Sequence, residues 1–235
     1  MNQESMSNDL QQDLQRLWSA SFHCLLSTHS VKYAGYPFGS LLPICRDSKG
    51  LPLLMISHLA QHTRNLDADP RCSLTLTHPG HADVQQWTRL TCLADAQPVA
   101  SNSQLERYYR YYPDSRRYHT ELNFLLYRLL PKQFYLIAGF GSARWFDVSR
   151  LLQQESLATA DELEFLYQLN AHEHDLLKRF LAQQDVEFMA DTHAVGADQH
   201  GVDIRQGDSL MRLHFENTTT DTKRFLQMLR GNLPD

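Results

Sequence analysis

The sequence predicts a mainly β domain of barrel or sandwich type, followed by a small α-β-β-β-α unit. Three observations predict it. Between Phe22 and Phe140, short apolar or alternating runs recur with turn signals at near-regular intervals. Thr159-Ala160-Asp161-Glu162 forms a capping box, in which a hydroxyl and a carboxylate satisfy exposed helix-start amides. Three further strand patterns and a closing helical pattern follow that helix.

In chain order, Leu10, Leu14 and Leu17 at helical spacing predict a helix over 8–20. Strands are expected at 22–27, after a loop within 35–46, and at 51–57, with Asp47-Ser48-Lys49-Gly50 as the hairpin turn. A short helix at 61–67 is stopped by Asp69-Pro70. Residues 72–77 alternate as a strand, Pro79-Gly80 turns, and 86–99 forms a long strand. A helix rich in Tyr and Arg is expected over 103–112. Proline cannot donate to a β-ladder, so Pro131-Lys132 divides two strands, 124–130 and 134–140. A boundary near 153–158 gives domains 1–152 and 153–235. The helix opened at Thr159 runs to about Gln184, with Leu163, Leu166, Tyr167, Leu177 and Leu181 as its apolar stripe. Strands at 187–194, 202–205 and 210–215, a turn at Ala197–Gly201, and a helix over 221–229 complete the second unit.

Composition limits the function. The chain has 235 residues, 42% of them hydrophobic, enough for a real core. A net charge of -5 argues against general nucleic-acid binding, which needs a basic footprint. The run of Arg and Tyr from Arg107 to Tyr118 is therefore read as an amphipathic helix with snorkelling side chains. No apolar run approaches the roughly 18–20 residues of a membrane span. The start, Met1 to Asp9, is polar and acidic, so a soluble cytoplasmic protein is expected. Cys24, Cys45, Cys72 and Cys92 sit in apolar strand-like runs without a C-x-x-C pair and read as buried thiols.

Three places can carry chemistry. In the first, a strand ends at Ser57 and His62-Thr63-Arg64-Asn65 opens a short helix. Free helix-start amides, an Arg and hydroxyls would suit a phosphate or carboxylate, although an ordinary strand–helix corner would read the same way. In the second, Gly139-Phe140-Gly141 permits tight turning, and Arg144 and Trp145 could clamp a flat acidic ring by charge and stacking. The third is the long helix after 159, where Asn170 and His174 fall inside the apolar stripe and His172 on another face. A neutral imidazole at His174 or His172 could ligate haem iron, or His174 could be a packing histidine.

Taken together, Gly35-Tyr36-Pro37-Phe38-Gly39-Ser40, Asp47 with Gly50, Ile56-Ser57, Leu59-Ala60, His62 to Leu66, Asp69-Pro70, Arg89-Leu90-Thr91, Tyr112-Pro113 and Gly139-Phe140-Gly141 carry a resemblance. The chain over about residues 20–150 resembles the haem-utilisation (HugZ/HutZ-like) branch of the pyridoxamine-phosphate-oxidase-like split barrels. The tail resembles a small α/β module often fused to that barrel. The resemblance implies a six-stranded antiparallel split β-barrel, an obligate homodimer and a cofactor, haem or FMN, at the dimer interface. It implies that Ser57 and His62 to Asn65 hold the phosphate where the cofactor is FMN. His62 stands where flavin-binding relatives carry a lysine. The expected activity is haem binding with iron-releasing degradation. The alternatives are an FMN-dependent oxidoreductase and a non-catalytic tetrapyrrole-binding regulator.

Overall fold

The computed structural model of the chain describes residues 3–78, 83–138, 142–152, 159–183 and 185–215. The Pro79-Gly80 turn, the Gly139-Phe140-Gly141 segment, the side chain of Thr159 and the expected helix over 221–229 lie outside them. The chain divides into two compact units. One comprises residues 1–108 and 114–153, the other 109–113 and 154–235.

The first unit opens with α1 (Gln3–Ala20), followed by β1 (His23–His29), β2 (Pro37–Pro43), β3 (Cys45–Arg46) and β4 (Pro52–Ser57). Then come α2 (Gln61–Ala68), β5 (Arg71–His78), β6 (Thr88–Pro98), α3 (Asn102–Tyr111), α4 (Ser115–Leu122), β7 (Phe124–Ile137) and β8 (Ala143–Phe146). The strands form one curled antiparallel sheet in the order β2-β1-β5-β6-β7-β4-β3, with β8 added to β7. The mixed β-plus-α class expected from the sequence holds, but this sheet has eight strands rather than six.

Alternation along the strands puts Cys24, Leu26, Leu74, Leu76, Leu90, Cys92, Phe134 and Leu136 on one buried face. Leu10, Leu14, Leu17 and Trp18 of α1 close over this face, and Trp18 meets Phe134 edge-to-face at 4.9 Å. Each such side chain contributes about 1.5–3 kcal/mol when fully buried.

The two strands expected around Pro131 are a single strand, β7. Gln133 faces Leu93 and Pro131 faces Ala94, so Lys132 is the extra residue of a β-bulge. The bulge accommodates the missing proline donor without ending the ladder. The Tyr-rich run also differs from expectation. Tyr108, Tyr109 and Tyr111 are buried rather than snorkelling, and Arg107 donates through Nε to the Arg46 carbonyl.

The second unit contains α5 (Thr159–Ala171), α6 (His174–Ala182), β9 (Thr192–Asp198), β10 (Gly201–Gln206) and β11 (Ser209–His214). Its strands form a meander, β11-β10-β9. Phe165, Leu166, Leu169, Leu176, Leu177 and Leu181 from the helices pack on Ala194, Ala197, Val202, Ile204 and Leu213. The single helix expected over 159–184 is broken between α5 and α6. The His172 and Glu173 amides both turn back to the Gln168 carbonyl, and Glu173 leaves helical geometry at φ −122°. The Asn170 carboxamide lies just before the break. It accepts from the Ala194 amide at 2.8 Å and donates to the Ala194 carbonyl at 2.9 Å, so it acts as an extra partner for β9.

The other face of this small sheet is charged and filled. Gly196 lacks a side chain, and a Cβ there would overlap the Tyr111 hydroxyl. That hydroxyl donates to Asp203 Oδ2 at 2.6 Å. Buried Arg212 bridges Asp203 and Asp198, and Arg110 donates to the Val195 carbonyl at 3.0 Å. Glu162 of the expected capping box reaches inward to the Ala197 amide at 3.0 Å.

Candidate functional site

The corner between β4 and α2 gathers Ser57, His62, Thr63, Arg64 and Asn65. Ser57 ends β4 opposite Phe124, and its hydroxyl accepts from the Leu59 amide at 3.2 Å. Its carbonyl accepts from the Ala60 amide at 3.1 Å and from the Thr63 hydroxyl at 2.6 Å. This tight turn launches α2 with Ala60 as the N-cap. No side chain caps the helix start, and no acidic residue occupies its first turn. The first amides of α2 thus carry partial positive charge without a capping acceptor from the side chains around them.

The side chains of α2 divide by face. Thr63, Asn65 and Leu66 are buried. Thr63 and Asn65, candidate ligand contacts from the sequence, are committed to the protein itself. Asn65 is 0% exposed. Its Oδ1 accepts from the Val31 amide at 3.1 Å and from Gln61 Nε2 at 2.9 Å, and its Nδ2 donates to the Thr28 hydroxyl at 2.9 Å. Arg64 points away from the barrel and is exposed.

His62 is half-buried. Its Nδ1 lies 3.1 Å from the Ser40 hydroxyl on β2, while its Nε2 is buried with no hydrogen-bond partner. Burial lowers its pKa below the ordinary 6.5, so the ring is neutral at pH 7. A buried, unsatisfied imidazole nitrogen normally costs about 1–3 kcal/mol, and a ligand atom could recover that. Beside the corner, His58 Nδ1 lies 3.0 Å from the carbonyl of Asn123, whose left-handed geometry (φ 52°) ends α4. The sequence reading missed Ser40, Thr28, Gln61 and Asn123, because each reaches the corner only through pairing of elements distant in sequence.

Arg144 and Trp145 are exposed on β8, and Trp145 stacks on Tyr135 with ring centroids 4.7 Å apart. They do not join the corner. Ser57 faces Phe124, the first residue of β7, whereas Trp145 faces Tyr135, eleven residues further along. That is roughly 35 Å of path along the strand. His172 and His174 lie in the second unit. His172 is exposed, its ring set against Tyr167 at 5.5 Å. His174 begins α6 and is exposed, not inside an apolar stripe, because the helix break resets the register. Among the described residues no three His, Cys, Asp or Glu side chains converge to hold a metal. The cysteines are buried, with the Cys24 and Cys72 thiols pushed up to about 12 by burial, so they are poor ligands and nucleophiles.

Comparison with known proteins places this barrel. The family model described as "CREG, beta-barrel" matches residues 15–153. The chain belongs to the CREG beta-barrel family. The matched span contains the last turns of α1, the whole eight-stranded sheet and the α2 corner. The expected resemblance to the haem-utilisation split barrels holds within this family. Heme oxygenase HutZ of Vibrio cholerae is 30% identical over 129 residues, covering 50% of this chain and 71% of that protein. Non-canonical heme oxygenase HOZ, chloroplastic, of Arabidopsis thaliana is 36% identical over 93 residues, which is 40% of this chain. This match spans only 28% of the Arabidopsis protein's length. In fold, the chain is similar over 98% of both chains to the protein Atu2129 of Agrobacterium tumefaciens, with a TM-score of 0.80 at 21% identity.

Two outcomes follow from this geometry. Asn65→Ala should lower unfolding free energy by about 2–4 kcal/mol in urea denaturation, because it leaves the buried Val31 amide and Thr28 hydroxyl short of partners. Second, burial lowers the pKa of His62, His193 and His200 alike. Below the ordinary value the unfolded chain therefore binds more protons than the folded one. Stability should be full above about pH 6.5 and fall as pH drops through it, and His62→Gln should flatten that slope. Urea midpoints measured between pH 8 and 5 check the sign.

Proposed function

We propose that this chain binds haem at the α2 corner and degrades it with release of iron, working as a homodimer. The observation that carries the reading is the buried, partnerless Nε2 of a neutral His62 beside an uncapped helix start. A neutral imidazole offers a lone pair suited to iron, whereas a phosphate site gains more from a cation. Arg64 and the first amides of α2 would take a propionate. Bound haem would supply the redox chemistry with O2 and an external reductant; the protein would orient the ring and hold its carboxylates. The names of the HutZ and HOZ relatives support the same reading.

FMN is the second reading, supported by the same uncapped helix start with the Ser57 turn, which suits a phosphate. Under the haem reading alone, His172 and His174 are further candidate iron ligands, and loss of a low-spin haem signal in His174→Ala would assign that role to His174. The reduced, buried thiols support a cytoplasmic location. A non-catalytic regulator would bind the same ring without consuming it.

The homodimer rests on two observations. The outward face carries one unbroken cross-strand row: Leu41, Leu25, Thr75, Thr91, Tyr135 and Trp145. Its apolar members are open to solvent, with Leu41 74% exposed. Arg144 and Trp145, too far along β7 to serve the corner of their own chain, would serve the corner of a second copy.

Haem titration followed by absorption tests the ligand. A Soret band is expected, lost on adding a reductant in air as iron is released. A stable ferrous spectrum would favour the regulator, and bound flavin the oxidoreductase. Arg64→Ala should weaken haem binding by about 1.5–3 kcal/mol, and unchanged affinity would remove Arg64 from the site. The assembly has its own test. Leu25→Glu with Leu41→Glu should convert the sedimenting species to monomer and weaken haem binding at least tenfold. Full affinity in a monomer would refute a shared site.

A further inference from the structure

The hairpin loop joining β1 to β2 carries side chains that the corner itself does not use. It is an ordered turn. The Ser30 amide donates to the Tyr36 carbonyl at 3.0 Å, the Tyr36 amide to the Tyr33 carbonyl at 3.2 Å, and the Tyr33 amide to the Ser30 hydroxyl at 3.0 Å. Gly35, at φ +83°, makes the reversal without a Cβ penalty. What this small, closed loop presents is aromatic. Tyr33 is 62% exposed and Tyr36 71%, with Lys32 Nζ 5.4 Å from the Tyr33 ring centroid. With Val31 also 51% exposed, the loop presents two large rings and an aliphatic side chain to solvent.

The loop is attached directly to the helix start. The amide of Val31, its second residue, and the carboxamide of Gln61, the first residue of α2, donate to the same oxygen, Asn65 Oδ1. His62 reaches across to Ser40 on the strand that leaves the loop. The corner and the loop are therefore joined by part-buried polar bonds.

We propose that Tyr33 and Tyr36 form the stacking surface of the ligand site, and that Lys32 supplies a second cation for a planar, multiply carboxylated macrocycle. The proposal rests on the haem reading above and extends it to selectivity. Arg64 and the helix start attract one anionic group, and Lys32 can meet another some distance away. The rings cover the face between them, a contact a flat tetrapyrrole makes and a lone phosphate does not. Charge complementarity chooses this occupant over a neutral apolar partner. The exposed faces of the site are aromatic and cationic, in a chain whose net charge is -5.

The test uses the full chain with metal-free protoporphyrin IX, which stacks but offers no iron to ligate, followed by quenching of intrinsic fluorescence, with haem and inorganic phosphate titrated in parallel. Tyr33→Ala with Tyr36→Ala should bind protoporphyrin about tenfold more weakly than the wild type. Tyr33→Phe with Tyr36→Phe should bind as the wild type does, because stacking survives. Phosphate binding should be the same in all three. Circular dichroism and the unfolding midpoint verify folding, and Tyr36→Ala alone substitutes if the double variant is unstable. If the wild type binds neither haem nor protoporphyrin, the haem reading fails at its root. If the wild type binds and the alanine variant binds equally well, the stacking surface is overturned while the haem reading stands. Equal weakening by the Phe and Ala variants would also overturn it, since the hydroxyls and not the rings would then be responsible. A change in sedimentation with unaltered porphyrin affinity would reassign the loop to contact between copies.

Discussion

One buried carboxamide determines where the α2 corner sits. Asn65 has no exposed surface, and its bonds to Thr28, Val31 and Gln61 join β1, the following loop and the first turn of α2. The dependence is strong because α2 has only eight residues. Helices that short are marginal by propensity alone, so tertiary bonds must supply both stability and direction. The Thr63 bond to the Ser57 carbonyl and burial of Leu66 set the remaining orientation. The exposed, functional-looking residues of this corner are placed by the inward ones.

Charge is handled differently in the two units. The second unit buries Arg212 between Asp198 and Asp203, closed further by the Tyr111 hydroxyl. Its ion pairs are internal, and opening them would leave buried charges uncompensated at a cost of several kcal/mol. At the α2 corner the polar groups are left open. The helix start has no capping side chain, Arg64 projects outward, and one ring nitrogen of His62 has no partner. In the second unit the charged groups are paired with one another, whereas at the α2 corner a helix start and an exposed guanidinium face outward.

Several misreadings share a cause. Pro131 looked like a strand break, yet the bulge at Lys132 carries β7 through it while β6 continues unbroken from Leu93 to Ala94. The helix after 159 looked continuous, yet Asn170 found a better partner in the β9 backbone than in its own helix. The Tyr-rich run looked like a solvated face, yet Tyr111 fills the space that Gly196 leaves. In each case a residue that local rules treat alone was claimed by an element far away in the chain.

Periodicity, turn chemistry and motif order were enough by themselves to determine most of the strands, the two-part organisation, the family and the corner at residues 57–65. These are short-range properties, written in the spacing of neighbouring residues and in backbone preferences. Only the tertiary structure decided which face of α2 turns inward, that Thr63 and Asn65 hold the corner while Arg64 is presented, and that Arg144 and Trp145 lie far along β7 from it. Those facts depend on strand register and on competition for buried hydrogen-bond partners. Neither is encoded in any local window, because both are settled only when distant segments meet and each buried polar group must find a mate.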